Sequence, residues 1–336
     1  MPPIAELTGD DPALADSGTF QAQIIRAAQP VVIRGLGTGL PAVEAARSAP
    51  DAGLRHVLGY DGGGRPEVFL ADPEVAGRYF YSEDMAGFNF RRAQLPLAEA
   101  FAHIRRHADD PAAPTAYLGS LVASAYLPGF AEANRLRVVP GEVETRLWIG
   151  NASHVACHYD AYENLACVIA GQRRFTLYPP DTIGDLYVGP IDHTMAGQPA
   201  SLASADPARF PRFAGAAARA ITVELEPGDA LFLPKLWWHA VEATSPINLM
   251  LNHWWDATAK GPDAPLLSML LAMIALAERP EAERMAFRAF FDHYVFRTDG
   301  HPLAHLPEDQ RGILGDLTGA NYGQIRAMVL RALRGA

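Results

Sequence analysis

Residues 154–181 read HVACHYDAYENLACVIAGQRRFTLYPPD, and this stretch decides the fold class. Short apolar runs rich in Val, Ile, Leu, Phe and Tyr are cut by the turn signals GQ and PPD, the pattern of strands joined by hairpins. The same texture extends outward from about Val138 to Asp256. RLWIG precedes the stretch, and ITVEL, ALFLP, HAVEAT and INLMLNHWW follow it, punctuated at GN, PGD and SPIN. All five tryptophans (148, 237, 238, 254 and 255) fall inside this region, which marks it as the main core.

The flanks read differently. Upstream, a helix over Thr19–Ala28 leads into PVVIRGL, a buried strand closed by Gly35, and a second helix is expected over Leu97–His107. Downstream of Pro262 three apolar stripes at helical spacing appear. They are Leu266, Leu267, Leu270, Leu271 and Ile274; then Phe287, Phe290, Phe291 and Tyr294; then Ile325, Met328, Val329, Ala332 and Leu333. The expected organisation is a mixed α/β region over residues 1–127 packing on the core, a β core over 128–260, and a helical region over 261–336.

Composition excludes several classes. A formal net charge of −10 argues against a general nucleic-acid binder, which needs clustered Lys and Arg. Cys157 and Cys167 are the only cysteines, so neither a disulfide framework nor a Cys-rich zinc module is expected, and a reducing cytoplasm fits best. The N-terminal stretch MPPIAELTGDDPALADSG lacks the apolar core of a signal peptide. PLLSMLLAMIAL, from Pro265, is too short to span a bilayer before charge and proline intervene, so no membrane association is expected.

Chemistry concentrates in the strand region. His158 and Asp160 stand two apart, which on a strand aims both side chains at one face. His239 lies on a later strand entered through PGD. Two imidazoles and one carboxylate from two strands make a facial triad, which leaves three metal positions open and suits Fe(II). A closed zinc site would need a fourth ligand, and Cys157 has the wrong parity to supply it. An isolated HxD pair is a weak signal in a chain with 11 histidines. The downstream PGD strand with its aromatic pair before His239 turns it into a strong one.

Residues 138–256 resemble the cupin-like JmjC family of 2-oxoglutarate-dependent hydroxylases, and within it the asparaginyl hydroxylase that inhibits hypoxia-inducible factor. The resemblance is carried by HYDAYEN (158–164), AGQRRFTLYPPD (170–181), ARFPRF (208–213), EPGDALFLPKLWWHAVEA (226–243) and NHWW (252–255). It implies a mainly β fold, a double-stranded β-helix or jelly roll with the metal at its mouth. It also implies iron ligands at His158, Asp160 and His239, and a 2-oxoglutarate pocket with Tyr117, Asn164, Arg173 and Asn252. Arg173 stands where the family has a lysine anchor for the distal carboxylate, and arginine can make that contact bidentate. Lys235 shares the parity of His239 and is the alternative anchor. Where the resembled hydroxylase has a threonine three residues before the first ligand, this chain has Val155, with Ser153 or His154 as candidate replacements. His154, His193 and His253 otherwise read as structural, and Trp237 and Trp238 as packing.

The resemblance implies Fe(II), 2-oxoglutarate and O2 as the reacting set, hydroxylation of a C–H, and succinate and carbon dioxide as products. The substrate would be a protein side chain or a small molecule. A metal-binding cupin that does not use the keto acid, or a non-catalytic binding dimer, are the competing readings, separated by where Arg173 points. The three C-terminal stripes exceed what one barrel flank needs to cover and point to a homodimer closed by those helices.

Overall fold

A computed structural model describes residues 3–110, 112–192, 194, 197–204, 206–259 and 261–335. His193 lies outside the described residues. The chain divides into two compact units, Met1–Ala257 and Thr258–Ala336.

The first unit is built on two sheets. Its strands are β1 (Ala5–Thr8), β2 (Val31–Arg34), β3 (Glu67–Ala71), β4 (Arg78–Tyr79), β5 (Arg91–Gln94), β6 (Thr115–Val122), β7 (Thr145–Gly150), β8 (Ser153–His158), β9 (Glu163–Ala170), β10 (Arg173–Tyr178), β11 (Ile221–Leu225), β12 (Ala230–Leu233), β13 (Trp238–Ala243) and β14 (Asn248–Trp255). The large sheet runs β1-β2-β12-β9-β14-β7-β6-β3-β5 and the small one β11-β10-β13-β8-β4. Strands β7 to β14 are the eight read from the sequence, divided four and four between the sheets. This alternation is the double-stranded β-helix, and the fold is a cupin-type jelly roll. The N-terminal residues add strands to both sheets: β1 and β2 beyond β12, β6, β3 and β5 beyond β7, and β4 beyond β8.

Periodicity explains which face each strand buries. On β9 all eight residues are buried, the mark of a strand covered on both sides. Its Ala166 and Val168 face the barrel interior with Phe175, Leu177, Leu231, Val241 and Met250. Leu165, Cys167 and Ile169 face the other way, against Phe20, Leu54, Leu97, Phe101 and Ile104. Those last residues belong to N-terminal helices, among them Ser17–Gln23, Pro50–Leu58 and Leu97–Arg106. The first of these is shorter than the expected Thr19–Ala28: it gives way to a 3-10 turn at Ile25–Ala27 and ends on left-handed Ala28. Both cysteines are buried and free, and burial pushes both thiols up.

Two turns fix the hairpin registers that matter below. Gly171 adopts φ +73° between β9 and β10, where a side chain would collide with the Ile247 carbonyl and the Asn248 amide. In the PGD turn, Gly228 has φ +95°, and Asp229 accepts from the Gly35 amide (3.0 Å) and pairs with Arg34 (2.8 Å).

In the second unit the three stripes fold as helices Pro265–Leu276, Glu281–Phe291 and Gly319–Leu333. No helix among the described residues is long and apolar enough to cross a membrane. Within this unit Asp263 is bound by the Tyr322 hydroxyl and by Arg326 (3.0 Å). Its large apolar side chains remain out of the core: Ile274 is 83% exposed and Phe290 63%.

Candidate metal centre

His158 and His239 face each other across the β8–β13 ladder, with ring centroids 4.4 Å apart. Asp160 completes a cluster in which one ligand atom from each residue lies within 4.8 Å of the others. This brings together the three residues expected from the sequence, although local structure differs from the expectation. Strand β8 ends at His158, so Asp160 is not on it but in the turn that follows, held by its carbonyl accepting from the Leu236 amide (2.8 Å). Likewise ALFLP and HAVEA are not one strand: β12 lies in the large sheet and β13 in the small one. The chain crosses between them at Pro234–Trp237, with Leu236 at φ +68°.

The imidazoles are pre-set as ligands. His158 Nδ1 lies 2.8 Å from the Ala156 carbonyl and His239 Nδ1 lies 3.0 Å from that of Trp237. A carbonyl only accepts, so each Nδ1 carries the proton and each Nε2 presents its lone pair. His239 Nε2 is 3.7 Å from Asp160 Oδ2, which would be an ion pair only with a protonated ring. Burial, then the neighbouring His158, pushes His239 down to about 4, so it is neutral at physiological pH. The donor set, two imidazoles that each present Nε2 and a carboxylate, fits Fe(II) with open positions.

A directional relay orients the carboxylate. Trp148 Nε1 donates to Asn252 Oδ1 (2.8 Å), Asn252 Nδ2 to Asn164 Oδ1 (3.3 Å), and Asn164 Nδ2 to Asp160 Oδ2 (2.9 Å). Trp254 Nε1 gives Asp160 Oδ2 a second bond (3.1 Å). Asn164 and Asn252 thus sit in the cavity wall as expected, with their amide donors engaged in this relay. The two indoles were not read from the sequence as site residues. The signal was there for one of them: Trp254 shares the parity of Asn252 and Met250 on β14.

Arg173 lines the same cavity as the three ligands, together with Tyr117, Asn164 and Asn252. It starts β10 on the face that also carries Phe175, opposite Ala243 and Val241 of β13. Arg174 takes the other face and pairs in solvent with Glu224 (2.9 Å) and Glu242 (3.2 Å). Arg173 is 2% exposed and has no carboxylate partner among the described residues. One guanidinium nitrogen donates to the Trp148 carbonyl (3.1 Å), the Tyr117 side chain lines the same cavity, and Nε has no partner. Burial pushes the Arg173 pKa down and the Tyr117 pKa up. Gly150, opposite Tyr117 on β7, makes room for that ring: a Cβ there would lie 2.8 Å from it.

The alternative residues lie elsewhere. Lys235 bonds Asp256 (2.7 Å) and Glu163 (3.2 Å) and does not line the cavity. Val155 lines it, whereas Ser153 and His154 do not. A β-bulge explains this. The register shifts so that His239 opposes His158 while Val241 opposes Val155, leaving Ala156 and Cys157 against one partner residue. Three residues apart, Val155 and His158 therefore share the inner face. His253 is structural, bonded to the Thr145 hydroxyl (3.1 Å).

A larger cleft of about 380 Å³ is lined by Arg34, Gln172, Arg174, Glu224 and Asp229, besides Arg173. Arg34 and Arg174 there pair with Asp229 and Glu224, while Arg173, which lines both this cleft and the metal cavity, has no carboxylate partner among the described residues.

Comparison with known proteins agrees with this geometry. Residues 17–261 match the family described as a cupin-like domain. HSPB1-associated protein 1 of Homo sapiens is 34% identical over 149 residues, covering 42% of this chain and 30% of that protein. Jumonji C domain-containing protein 5 of Drosophila melanogaster is 33% identical over 120 residues, 35% of this chain and 29% of that one. The human bifunctional peptidase and (3S)-lysyl hydroxylase JMJD7 is 30% identical over 131 residues, 32% of this chain and 40% of that one. The chain spans about a third of the length of the curated relatives it matches. With the family match enclosing every strand of the jelly roll's eight and all three clustered ligands, the chain belongs to the family of cupin-like JmjC domains.

Proposed function

We propose that the chain is an Fe(II)- and 2-oxoglutarate-dependent oxygenase that hydroxylates a C–H of a protein side chain or small molecule. The observation that carries this reading is Arg173. A buried guanidinium without a counter-charge is costly, and a dicarboxylate reaching from the metal would neutralise it. Tyr117 would donate its hydroxyl to the same carboxylate. His158, Asp160 and His239 would hold the iron, with the relay from Trp148 fixing the carboxylate and the indole of Trp254 bracing it. Bound iron and keto acid would supply the oxidising chemistry, with succinate and carbon dioxide as products. The protein's part is to orient the reactants and keep them dry. Among the relatives, JMJD7 is named a lysyl hydroxylase and the Arabidopsis thaliana protein JMJ31 a lysine-specific demethylase, which supports an oxygenase reading without supplying this chain's substrate.

The test is a titration, without oxygen, of the visible charge-transfer band that iron and the keto acid form together. Arg173→Ala should weaken 2-oxoglutarate binding by roughly one to two orders of magnitude, the equivalent of one charge-assisted bidentate contact, and leave iron binding intact. Arg173→Lys should fall between, since the charge survives and the fork is lost. No band in the parent chain would make it a cupin of another kind.

We also propose that the C-terminal helices pair two copies of the chain. The support is the exposure of large apolar side chains on successive helices, Leu270 and Ile274 on one and Phe287 and Phe290 on the next.

A further inference from the structure

We propose that Lys235 is a positioning residue of the metal centre: its ammonium pins the crossover between β12 and β13, and the crossover in turn places two of the three ligands. This rests on the oxygenase reading above. Lys235 does not itself line the metal cavity.

The crossover meets the centre through its backbone. The Leu236 amide donates to the Asp160 carbonyl (2.8 Å), and the Trp237 carbonyl accepts from His239 Nδ1 (3.0 Å). One contact fixes the turn that carries the carboxylate, and the other leaves His239 Nε2 to present its lone pair. A shift of residues 235–237 would therefore move both ligands at once. His158 is set from outside this segment, by the Ala156 carbonyl.

The crossover does not hold this shape by local preference. Leu236 lies in the left-handed region at φ +68°, which a side chain with a Cβ resists. Its side chain is half-exposed, so little burial of its own offsets that cost. Such a conformation persists only where the flanking structure over-determines it. On one flank the Trp237 indole is buried and donates to the Ala28 carbonyl (3.3 Å). On the other, Lys235 Nζ reaches Asp256 (2.7 Å) and Glu163 (3.2 Å).

Those two carboxylates stand at the ends of adjacent strands. Glu163 opens β9 opposite Trp255 of β14, and Asp256 follows that strand. The ammonium thus ties the crossover to the strands that carry Asn164 and Trp254, from which Asp160 Oδ2 receives its two side-chain hydrogen bonds. Glu163 is buried and Asp256 mostly so. Taking away Lys235 would leave like charges facing each other in surroundings that screen them poorly, at the point where the crossover is anchored.

The experiment measures Mn(II) binding to the full chain by electron paramagnetic resonance of the free ion, with the melting temperature of the metal-free chain alongside. Lys235→Met, which keeps the stem and removes the charge, should weaken Mn(II) binding by roughly tenfold or more, the range for groups that orient a ligand. Lys235→Arg, which retains a cation between Glu163 and Asp256, should recover most of that loss. At saturating Co(II), Lys235→Met should alter the visible absorption bands, which report ligand geometry, and Lys235→Arg should restore them. A Lys235→Met chain that melts lower yet binds Mn(II) and absorbs with Co(II) as the parent does makes Lys235 a staple of the fold only, and overturns the proposal. So does a loss that Lys235→Arg shares in full. Asp256→Asn, which removes the shorter contact, should weaken Mn(II) binding in the same direction by less, and decides the matter if Lys235→Met does not fold: unchanged binding there overturns the proposal too. A parent that binds no Mn(II), or binds it unchanged in His158→Ala, overturns the oxygenase reading itself and this proposal with it.

Discussion

Helix Leu97–Arg106 and helix Pro265–Leu276 carry apolar stripes that look alike in the sequence, and they end in opposite states. In the first, Leu97, Phe101 and Ile104 are at most 1% exposed, packed on the outer face of the large sheet. In the second, Leu270 is 39% exposed and Ile274 83%. The same contrast separates the two units more broadly: most large apolar side chains of the first unit are buried, and among the described residues of the C-terminal helices none is. A stripe states that a face favours burial. What covers it is decided by topology in the first unit, where sheets and helices supply each other; in the second, the proposed pairing of two copies would supply it.

That contrast implies that the metal centre and the helical surface fail separately, which can be tried in order of expected effect. His158→Ala and Asp160→Ala should each abolish stoichiometric iron binding, measured by metal analysis after gel filtration, with the state of association unchanged. Retention of a full equivalent of metal in both would remove the triad from the site. Leu270→Asp combined with Phe290→Asp should turn a dimer into monomers in sedimentation, because an unpaired carboxylate buried in an interface is opposed by several kcal/mol, about the margin of the whole contact. Iron bound per chain should not change. A parent that already sediments as a monomer ends that proposal. Asn164→Ala, which cuts the relay one bond short of Asp160, should weaken metal binding by roughly tenfold, the usual range for a group that orients a ligand. An effect as large as that of losing a ligand would mean that Asn164 touches the metal itself.

Much of this was legible beforehand, and for identifiable reasons. The eight strands of the jelly roll were visible because turn residues separate them and because two, β9 and β14, are near-continuous apolar runs. His158, Asp160 and His239 were legible from spacing, whereas Arg173 was singled out only through the family resemblance, which has a cation two residues after the turn glycine. What escaped reading were departures from strict alternation. The bulge at Ala156 and Cys157 puts Val155 rather than His154 on the inner face, and two-residue parity cannot express an extra residue. Asp160 reaches the centre from a turn, so its agreement with strand parity was right in outcome and wrong in cause. Trp148 and Trp254 were read as core because indoles usually are, and their N–H donors had no visible addressee until Asn252 and Asp160 were placed.

The lone guanidinium of Arg173 bears on how well the ligand-free molecule survives heating. A charge held in the interior without a counter-ion weakens the fold that contains it, so the empty chain is less stable than its packing alone would make it. Any dicarboxylate that reaches the cavity returns that stability in proportion to the logarithm of its concentration over its dissociation constant. Arg173→Met should therefore melt higher than the parent, by roughly a few degrees in a domain of this size, while losing the rise that 2-oxoglutarate is expected to give the parent. Selection for hardiness alone would disfavour an arginine in that wall, a cost that the proposed dicarboxylate would offset.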